Sequence, residues 1–484
     1  MSTFPAADLP RLAAEILSYR KMTNETTVKA KMVTRDYLLS FVLVTLLFPL
    51  WGFANDITNP MVRAFSKVLL MSNFEGSLVQ FAFYGGYFAM AFVAAYFIKK
   101  HSYKSGIVVG LALYATGAFL FFPSSLGHAF WPFLVSYFIL TCGLSFLETS
   151  ANPYILSMGD EATATRRLNF AQSFNPMGSL LGMFTAQQLI LSRLNTTDNL
   201  ALTKLEALDP GAYASLTANP DKIDFKAIRE AIYAIDPAAF EAMRQTDLVT
   251  IRNPYLAIGA VVLLVLIIFL IAKMPKKQSE GAFSLRETFG RLLRNKRYYE
   301  GVIAQFFYVG VQIMCWTFII HYAEIELGID NSTAQLYNIV AMSIFCCSRF
   351  VCTYLLKYIS PGKWLMSLAF GGLALVLGVI FIQGMPGLYC LIGVSACMSL
   401  MFPTIYGIAM EGIGQDAEFG AAGLIMAILG GSVMPPLQAL MIDQQTILGL
   451  SGCRFSFFLP FVCFVVIALY GFRNKDIVRN AVAK

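Results

Sequence analysis

The chain has 484 residues, of which 57% are hydrophobic and only 13% are charged, and its mean hydropathy is +0.63. Soluble domains average ~45–50% apolar and ~25% charged residues, so this composition excludes a soluble globular protein and indicates a polytopic membrane protein. The net charge of +7 does not indicate nucleic-acid binding, because the basic residues lie between apolar runs, where they set membrane topology.

Apolar runs of roughly 20 residues are long enough to cross a bilayer as helices, and the sequence contains about twelve of them. The predicted spans, numbered one to twelve, are 37–58, 76–98, 106–123, 131–154, 168–192, 254–273, 300–322, 333–356, 364–383, 387–410, 419–441 and 454–472. Every second connecting segment is rich in Lys and Arg, and the short segments between them are poor in both. The positive-inside rule therefore predicts that both termini are cytoplasmic.

These spans divide the chain into two six-span halves. The predicted regions are an N-terminal cytoplasmic segment 1–36, a first six-helix bundle 37–273 with a long external loop 194–252, an inter-bundle segment 274–299, a second bundle 300–472 and a cytoplasmic tail 473–484. The loop contains helix-like pieces such as KIDFKAIREAIYAI and is interpreted as a solvated cap. In the inter-bundle segment, Leu285, Phe289, Leu292 and Leu293 form an apolar stripe, which predicts a helix on the membrane surface. Two six-span halves with broken helices match a transporter plan in which the substrate binds between the halves near the midplane.

One carboxylate, Glu148, lies well inside the apolar run of span four. Ionisable groups at this depth are rare and usually face a partner or a water-filled cavity. Counting along the helices places Glu148 ~12 Å, and Asn175 of span five ~10 Å, from the cytoplasmic end. Gln172 shares a helical face with Asn175. We expect these three side chains at one level, with no basic residue at matching depth to make a structural ion pair with Glu148.

A carboxylate beside amide groups supplies the mixture of hydrogen-bond donors and acceptors that sugar hydroxyls need. The alternative is that Gln172 and Asn175 only hydrogen-bond neighbouring helices to each other.

Asp56 in span one is the second buried-looking carboxylate, ~28 Å from the start of that span. It is interpreted as a proton carrier, because protonation removes the cost of moving a charge through an occluded state. The alternative is an ordinary aspartate at a helix end in the headgroup region. The depth difference of ~15 Å from Glu148 predicts that the two carboxylates do not bond to each other.

Aromatic faces can pack on the C–H surface of a sugar ring, although most aromatic residues in such a chain serve core packing or the membrane interface. The predicted proton-coupling residues are Asp56 and Glu148, and the predicted substrate-binding residues are Glu148, Asn175, Gln172, Asn152, Gln80, Tyr84, Gln312, Trp316 and Tyr406. Motifs of soluble enzymes are absent, and the nine cysteines form no pattern of a metal site. We therefore expect a protein that is not an enzyme and binds no metal or cofactor apart from the coupling proton.

Seven segments around these residues have a distinctive order and spacing. They are WGFANDITNPMVRAF, VQFAFYGGYF, KKHSYKSGI, LETSANPYI and RRLNFAQSFNPMGSLLG in the first half, and FFYVGVQIMCWTFIIHYAE and LMFPTIYGIAMEGIGQ in the second. In these segments the sequence resembles the L-fucose:proton symporter family of the major facilitator superfamily. The resemblance covers about 37–192 and 300–472. The long loop 194–252 and SAN in place of AAN after LET depart from the family pattern.

The resemblance implies an all-α fold of twelve transmembrane helices in two six-helix bundles, alternating access and proton-driven sugar import. It also implies that Asp56 and Glu148 occupy the positions of the family's protonatable carboxylates and that Asn175 matches its substrate-contacting asparagine. Relatives carry fucose, glucose, galactose or N-acetylglucosamine, so the sugar stays open.

We expect a monomeric importer in the bacterial inner membrane whose partners are a monosaccharide, protons and the bilayer. The alternatives are a sodium-coupled or uncoupled carrier for glucose, galactose or N-acetylglucosamine and, more remotely, a sugar sensor that does not transport. Sequons at Asn195 and Asn331 would also permit a glycosylated eukaryotic protein.

Overall fold

A computed structural model describes residues 31–71, 73–127, 129–196, 198–218, 225–275, 284–329, 331–444 and 446–476. The helices of the first half are α1 Leu38–Thr45, α2 Leu47–Val68, α3 Asn73–Lys100, α4 Tyr103–Phe119, α5 Phe121–Ser124, α6 Trp131–Leu156, α7 Ala164–Gln172 and α8 Asn175–Thr185. The external loop and the sixth membrane helix contain α9 Asp198–Leu208, α10 Pro210–Leu216, α11 Phe225–Ile235 and α12 Pro237–Ile271. An inter-bundle helix, α13 Leu285–Arg294, follows.

The helices of the second half are α14 Lys296–Leu327, α15 Asn331–Leu355, α16 Pro361–Phe381, α17 Met385–Met398, α18 Met401–Ala409, α19 Ala417–Met426, α20 Gly430–Ile442, α21 Gly452–Ser456 and α22 Phe458–Arg473. A short hairpin pairs β1 Thr446–Ile447 with β2 Leu450–Ser451 in antiparallel register. One large apolar core runs through both halves. This arrangement confirms the predicted all-α membrane fold.

Within the described residues, eleven helical segments are long and apolar enough to cross a membrane, one for each predicted span except span five. Span five is interrupted between α7 and α8, at Ser173 and Phe174. Pro176 follows the break and has no N–H to donate to the Gln172 carbonyl four residues earlier. The break therefore leaves one backbone acceptor without its helical donor.

Span one is longer than predicted, because α2 continues to Val68 instead of ending near residue 58. Asp56 is therefore an interior residue of the helix, and only 8% of its surface is exposed. This burial contradicts the interpretation of Asp56 as an ordinary aspartate at a helix end.

The segment predicted to be an external loop is an ordered cap with its own small apolar core. Its buried residues are Ala201, Leu205, Ile228, Ile232 and Phe240. The sixth membrane helix begins at Pro237, well before the predicted start at 254, so the outer turns of α12 form one wall of the cap.

A buried carboxylate, Asp247, closes the base of this cap. It accepts hydrogen bonds from the backbone N–H groups of Asn195 (2.7 Å) and Thr196 (2.9 Å). The Asn195 amide (3.0 Å) and the Thr196 hydroxyl (2.8 Å) donate to it as well. Asn195, a possible glycosylation acceptor, thus already uses its side chain inside the fold. The side chain of Asn331 lies outside the described residues.

The inter-bundle helix α13 packs against residues of both halves, in addition to the membrane-surface position that the sequence predicts. Leu292 is buried, and the Phe289 ring lies 5.4 Å from Phe92 of span two and 6.4 Å from Phe419 of span eleven. Arg291 of the same helix donates to Asp416 from Nε at 2.7 Å. The predicted apolar stripe therefore partly bridges the two halves.

The halves also meet at the end of the molecule that carries the basic loops with Lys100, Arg166 and Lys357, here named the basic end. Polar contacts across the seam are Lys99 to Glu418 (3.3 Å), Tyr103 to Glu418 (3.2 Å), Asn169 to Thr404 (3.2 Å) and Ser173 to Thr353 (3.3 Å). The seam is therefore closed between the basic end and the middle of the molecule.

Candidate functional site

A polar cavity of about 110 Å³ lies between the two halves. Its first-half wall consists of Phe48, Trp51, Asn55, Tyr84, Tyr87, Glu148, Gln172 and Asn175. Its second-half wall consists of Val309, Gln312, Ile313, Trp316, Arg349, Phe402 and Ile428. A larger cleft of about 730 Å³ opens at the basic end among loop residues, but none of the predicted site residues lines it.

Glu148 presents its carboxylate to this cavity. The Tyr87 hydroxyl donates to Glu148 Oε1 at 3.1 Å, which ties span two to span four. The Ser145 hydroxyl, one turn earlier on span four, donates to the Tyr87 carbonyl at 3.1 Å. These two bonds orient the carboxylate before any ligand binds.

Two amide side chains of span five line the cavity, and each makes one hydrogen bond within the described part of the chain. Gln172 donates from Nε2 to Asn152 Oδ1 at 3.0 Å, and Asn175 donates from Nδ2 to the Phe48 carbonyl at 3.3 Å. Both therefore keep a carbonyl oxygen available to a ligand. Within the described residues, Asn152 Nδ2 and Trp51 Nε1 are buried donors without partners. Such donors require water or a ligand to be satisfied.

The second half contributes a more apolar wall. Trp316 is fixed by a hydrogen bond from Nε1 to Ser395 Oγ at 3.2 Å and by an edge-on contact with Phe345 at 4.8 Å. Gln312 lies one turn away and faces the same cavity, beside Val309 and Ile313. A ligand in the cavity would therefore meet polar groups mainly on one side and apolar groups on the other.

Arg349 of span eight also lines the cavity, which contradicts the expectation that no basic residue lies at the depth of Glu148. Its guanidinium is buried, with 3% of the residue exposed, and lies over the Phe345 ring at 4.6 Å. It makes no ion pair within the described residues. The sequence signal was available, because an arginine inside an apolar run is as unusual as a glutamate.

The hydrogen bonds of Arg349 explain its position. It donates from Nη1 to the Gln172 carbonyl at 3.1 Å and from Nε to the Ser399 carbonyl. Both carbonyls lie four residues before a proline, Pro176 and Pro403, and so lack their helical N–H donor. One side chain thus satisfies two backbone acceptors in opposite halves.

Asp56 lies close to the cavity but does not line it. Its polar neighbours are Ser179 of span five and the adjacent Asn55, which does reach the cavity. The Tyr84 ring is near enough to interact electrostatically with Asp56. No hydrogen bond joins Asp56 to Glu148 in the described part of the chain, as their different depths predict.

The cavity brings together Glu148, Gln172, Asn175, Tyr84, Gln312 and Trp316. Two of the predicted substrate-binding residues do not line the cavity. Asn152 is buried and binds Gln172, and Tyr406 is buried without lining the cavity. The side chain of Gln80 lies outside those that the structure describes. Sequence reasoning overlooked Asn55, although it stands directly before Asp56, and overlooked the apolar lining, which nothing distinguishes from ordinary membrane helix.

Comparison with known proteins agrees with this architecture. The Major Facilitator Superfamily matches residues 37–196 and 246–436. The chain is 51% identical to the L-fucose-proton symporter of Haemophilus influenzae, over 93% of this chain and 100% of that protein. It is 33% identical to the L-fucose-proton symporter of Escherichia coli, over 91% and 94% of the two chains.

A crystal structure of the major facilitator transporter FucP in the outward conformation superimposes with a TM-score of 0.77 at 32% identity. The superposition covers 91% of this chain and 99% of that one. The fold, the two-half architecture and these identities agree with the sequence resemblance. The chain therefore belongs to the major facilitator superfamily and, within it, to the family of L-fucose-proton symporters.

Proposed function

We propose that this protein imports a monosaccharide, L-fucose or a closely related hexose, together with protons by alternating access. The observation that carries the proposal is the cavity between the halves, where one carboxylate, four amide side chains and the unpartnered Trp51 donor converge. Sugar hydroxyls both donate and accept hydrogen bonds, and this set of groups offers both. Two relatives that share most of the chain are L-fucose-proton symporters.

In this proposal, Gln172 and Asn175 orient sugar hydroxyls through their free carbonyl oxygens. Trp316 offers an aromatic face with a fixed orientation, and Gln312 supplies a polar contact from the second half. Glu148 accepts hydrogen bonds from the sugar while ionised and takes up the coupling proton. Because the sugar would touch both halves, its binding favours the state in which they close around it.

Asp56 would serve as a second protonation site, in contact with the cavity through Asn55 and Tyr84. Protonation of a buried carboxylate removes the large cost of carrying a charge through a low-dielectric occluded state. The separation of Asp56 from Glu148 allows one carboxylate to set the conformational equilibrium while the other contacts the sugar.

The same proposal places the basic end at the cytoplasmic face of a bacterial inner membrane, with both termini inside and the cap outside. The protein would act as a monomer in the bilayer and need no cofactor other than the coupling proton.

The direct test is the addition of L-fucose to an unbuffered suspension of cells that express the chain. We expect the medium to become alkaline as protons enter with the sugar. Competition of unlabelled fucose, glucose, galactose and N-acetylglucosamine against labelled fucose uptake would rank the substrates. Uptake that requires sodium, or that leaves the external pH unchanged, would contradict proton coupling; binding without uptake would indicate a sensor.

A further inference from the structure

Tyr406 has an unusual environment for a tyrosine that does not contact the cavity. It lies on α18 of span ten, and none of its surface is exposed. Its hydroxyl has no hydrogen-bond partner within the described part of the chain. A buried hydroxyl without a partner costs free energy, and its retention needs a physical explanation.

Tyr406 belongs to the main apolar core. Three polar side chains from other helices are near enough to act on it electrostatically, namely Tyr103, Glu148 and Tyr298. Tyr103 and Glu148 belong to the first half, whereas Tyr406 belongs to the second. Phe402, one turn before Tyr406 on the same face of α18, lines the cavity together with Glu148, so Tyr406 lies next to the cavity wall of the second half.

The helix that carries Tyr406 crosses this seam closely. Thr404 accepts a hydrogen bond from Asn169 at 3.2 Å, and a methyl group at Gly407 would collide with the Thr165 side chain. The two halves are thus in contact on either side of Tyr406. Any relative movement of the halves changes the distance between Tyr406 and Glu148.

Within the described part of the chain, Glu148 accepts one hydrogen bond, from Tyr87 of its own half at 3.1 Å. A carboxylate has two oxygens and can accept several such bonds. Tyr103, the other near neighbour of Tyr406, already donates its hydroxyl to Glu418 at 3.2 Å. Tyr103 therefore has no donor left for Glu148, and Glu148 keeps acceptor capacity for a second hydrogen bond.

We propose that Tyr406 is a positioning residue of the transport cycle. When the halves move, its hydroxyl replaces that of Tyr87 as the hydrogen-bond partner of the Glu148 carboxyl group. Ionised Glu148 would accept a hydrogen bond from Tyr406, and protonated Glu148 would donate one to it. The exchange moves the carboxyl group from a partner in its own half to one in the other half. The proposal rests on Glu148 being the coupling carboxylate, as proposed above.

The test compares Tyr406→Phe with Tyr114→Phe in the full-length protein reconstituted into liposomes. Tyr114 is a matched control, because it is buried in span three, it does not line the cavity, and its hydroxyl donates to the Leu50 carbonyl at 3.1 Å. Three quantities are measured: proton uptake driven by L-fucose, counterflow of labelled L-fucose without a proton gradient, and the thermal unfolding midpoint.

For Tyr406→Phe we expect fucose-driven proton uptake to fall about tenfold, the effect of one lost hydrogen bond to a charged group. Counterflow should stay close to wild type, and the unfolding midpoint should stay equal or rise, because an unpaired hydroxyl has been removed. Tyr114→Phe should show the opposite pattern, a lower midpoint with unchanged proton uptake. In a Glu148→Gln background, Tyr406→Phe should have no further effect on coupling.

Proton uptake at the wild-type rate in Tyr406→Phe would overturn the inference while leaving the proposed function intact. A joint fall of midpoint, counterflow and proton uptake would also overturn it, since that pattern indicates a packing role. If the wild-type protein took up fucose without protons, the proposed function itself would be wrong.

Discussion

Arg349 donates a hydrogen bond from Nη1 to the backbone carbonyl of Gln172, 3.1 Å away in the opposite half. The same guanidinium binds the Ser399 carbonyl of its own half. Prolines four residues later leave both carbonyls without helical donors. A buried cation thus supports two broken helices at the cavity wall and links the halves there.

Replacing Arg349 by Lys should therefore destabilise the protein although the charge is kept. A lysine ammonium lacks the planar fork that serves both carbonyls, so we expect one to be left unpaired, at about 1–3 kcal/mol. Thermal unfolding of the purified protein in detergent would measure the loss.

Pro176→Ala provides the matched test, because it restores the N–H that the Gln172 carbonyl lacks. The Arg349→Lys, Pro176→Ala double variant should be more stable than the sum of the single effects predicts. Strict additivity would show that Arg349 does not act through the carbonyl of Gln172.

Substitution of the two carboxylates should separate binding from coupling. Glu148→Ala is expected to lose or cripple sugar counterflow, because the carboxylate faces the cavity. Asp56→Asn should retain counterflow and lose proton-driven accumulation, because this residue lies behind the cavity wall. Glu287→Gln, on an exposed residue of α13, is the control. Full accumulation in both site variants would refute the assigned roles.

Two adjacent glycines of span two should respond differently to alanine. A methyl group at Gly86 would collide with Thr141 of span four, whereas at Gly85 it meets nothing within 4 Å. Gly85→Ala is expected to stabilise the helix by up to about 1 kcal/mol, and Gly86→Ala to lower the unfolding midpoint. Equal midpoints for the two variants would contradict the close packing of spans two and four.

Loss of one partner of the ion pair between Lys99 and Glu418 should lower the stability of the protein more than loss of both partners. The pair is buried, with N–O distance 3.3 Å. Lys99→Met leaves a buried carboxylate uncompensated, at about 3–5 kcal/mol. Adding Glu418→Gln should recover part of the lost stability, measured by thermal unfolding. A double variant less stable than Lys99→Met would contradict this view.

The cap should depend on Asp247 independently of transport. Asp247→Ala removes four hydrogen bonds to Asn195 and Thr196, and loss of even one such charged bond costs about 1.5–3 kcal/mol. We expect faster tryptic cleavage within 198–236 and unchanged sugar uptake, because the cap does not line the cavity. Glu206→Ala, at an exposed position of the cap, should leave cleavage unchanged.

The sequence by itself determined the membrane class, the number of spans and the prominence of Glu148. These conclusions follow from the free-energy cost of burying charges and unpaired backbone groups in lipid. Because of this cost, spans must be long apolar runs, which composition and run length reveal. Helix geometry also sufficed to place Glu148, Gln172 and Asn175 at one level, because rise per residue converts sequence distance into depth.

Tertiary structure alone decided which groups face each other across the seam. The depth of a residue does not show which way its side chain points around the helix or which helices are neighbours. The hydrogen bond from Arg349 to the Gln172 carbonyl could therefore not be predicted from the sequence. The same holds for the burial of Tyr406 outside the cavity lining. The apolar lining of the cavity could not be predicted for the same reason, since a valine that faces the cavity and a valine that faces lipid look alike in sequence. The extension of α2 and α12 beyond the predicted spans likewise depended on packing against the cap, because contacts between distant segments stabilise helical turns that hydropathy does not mark.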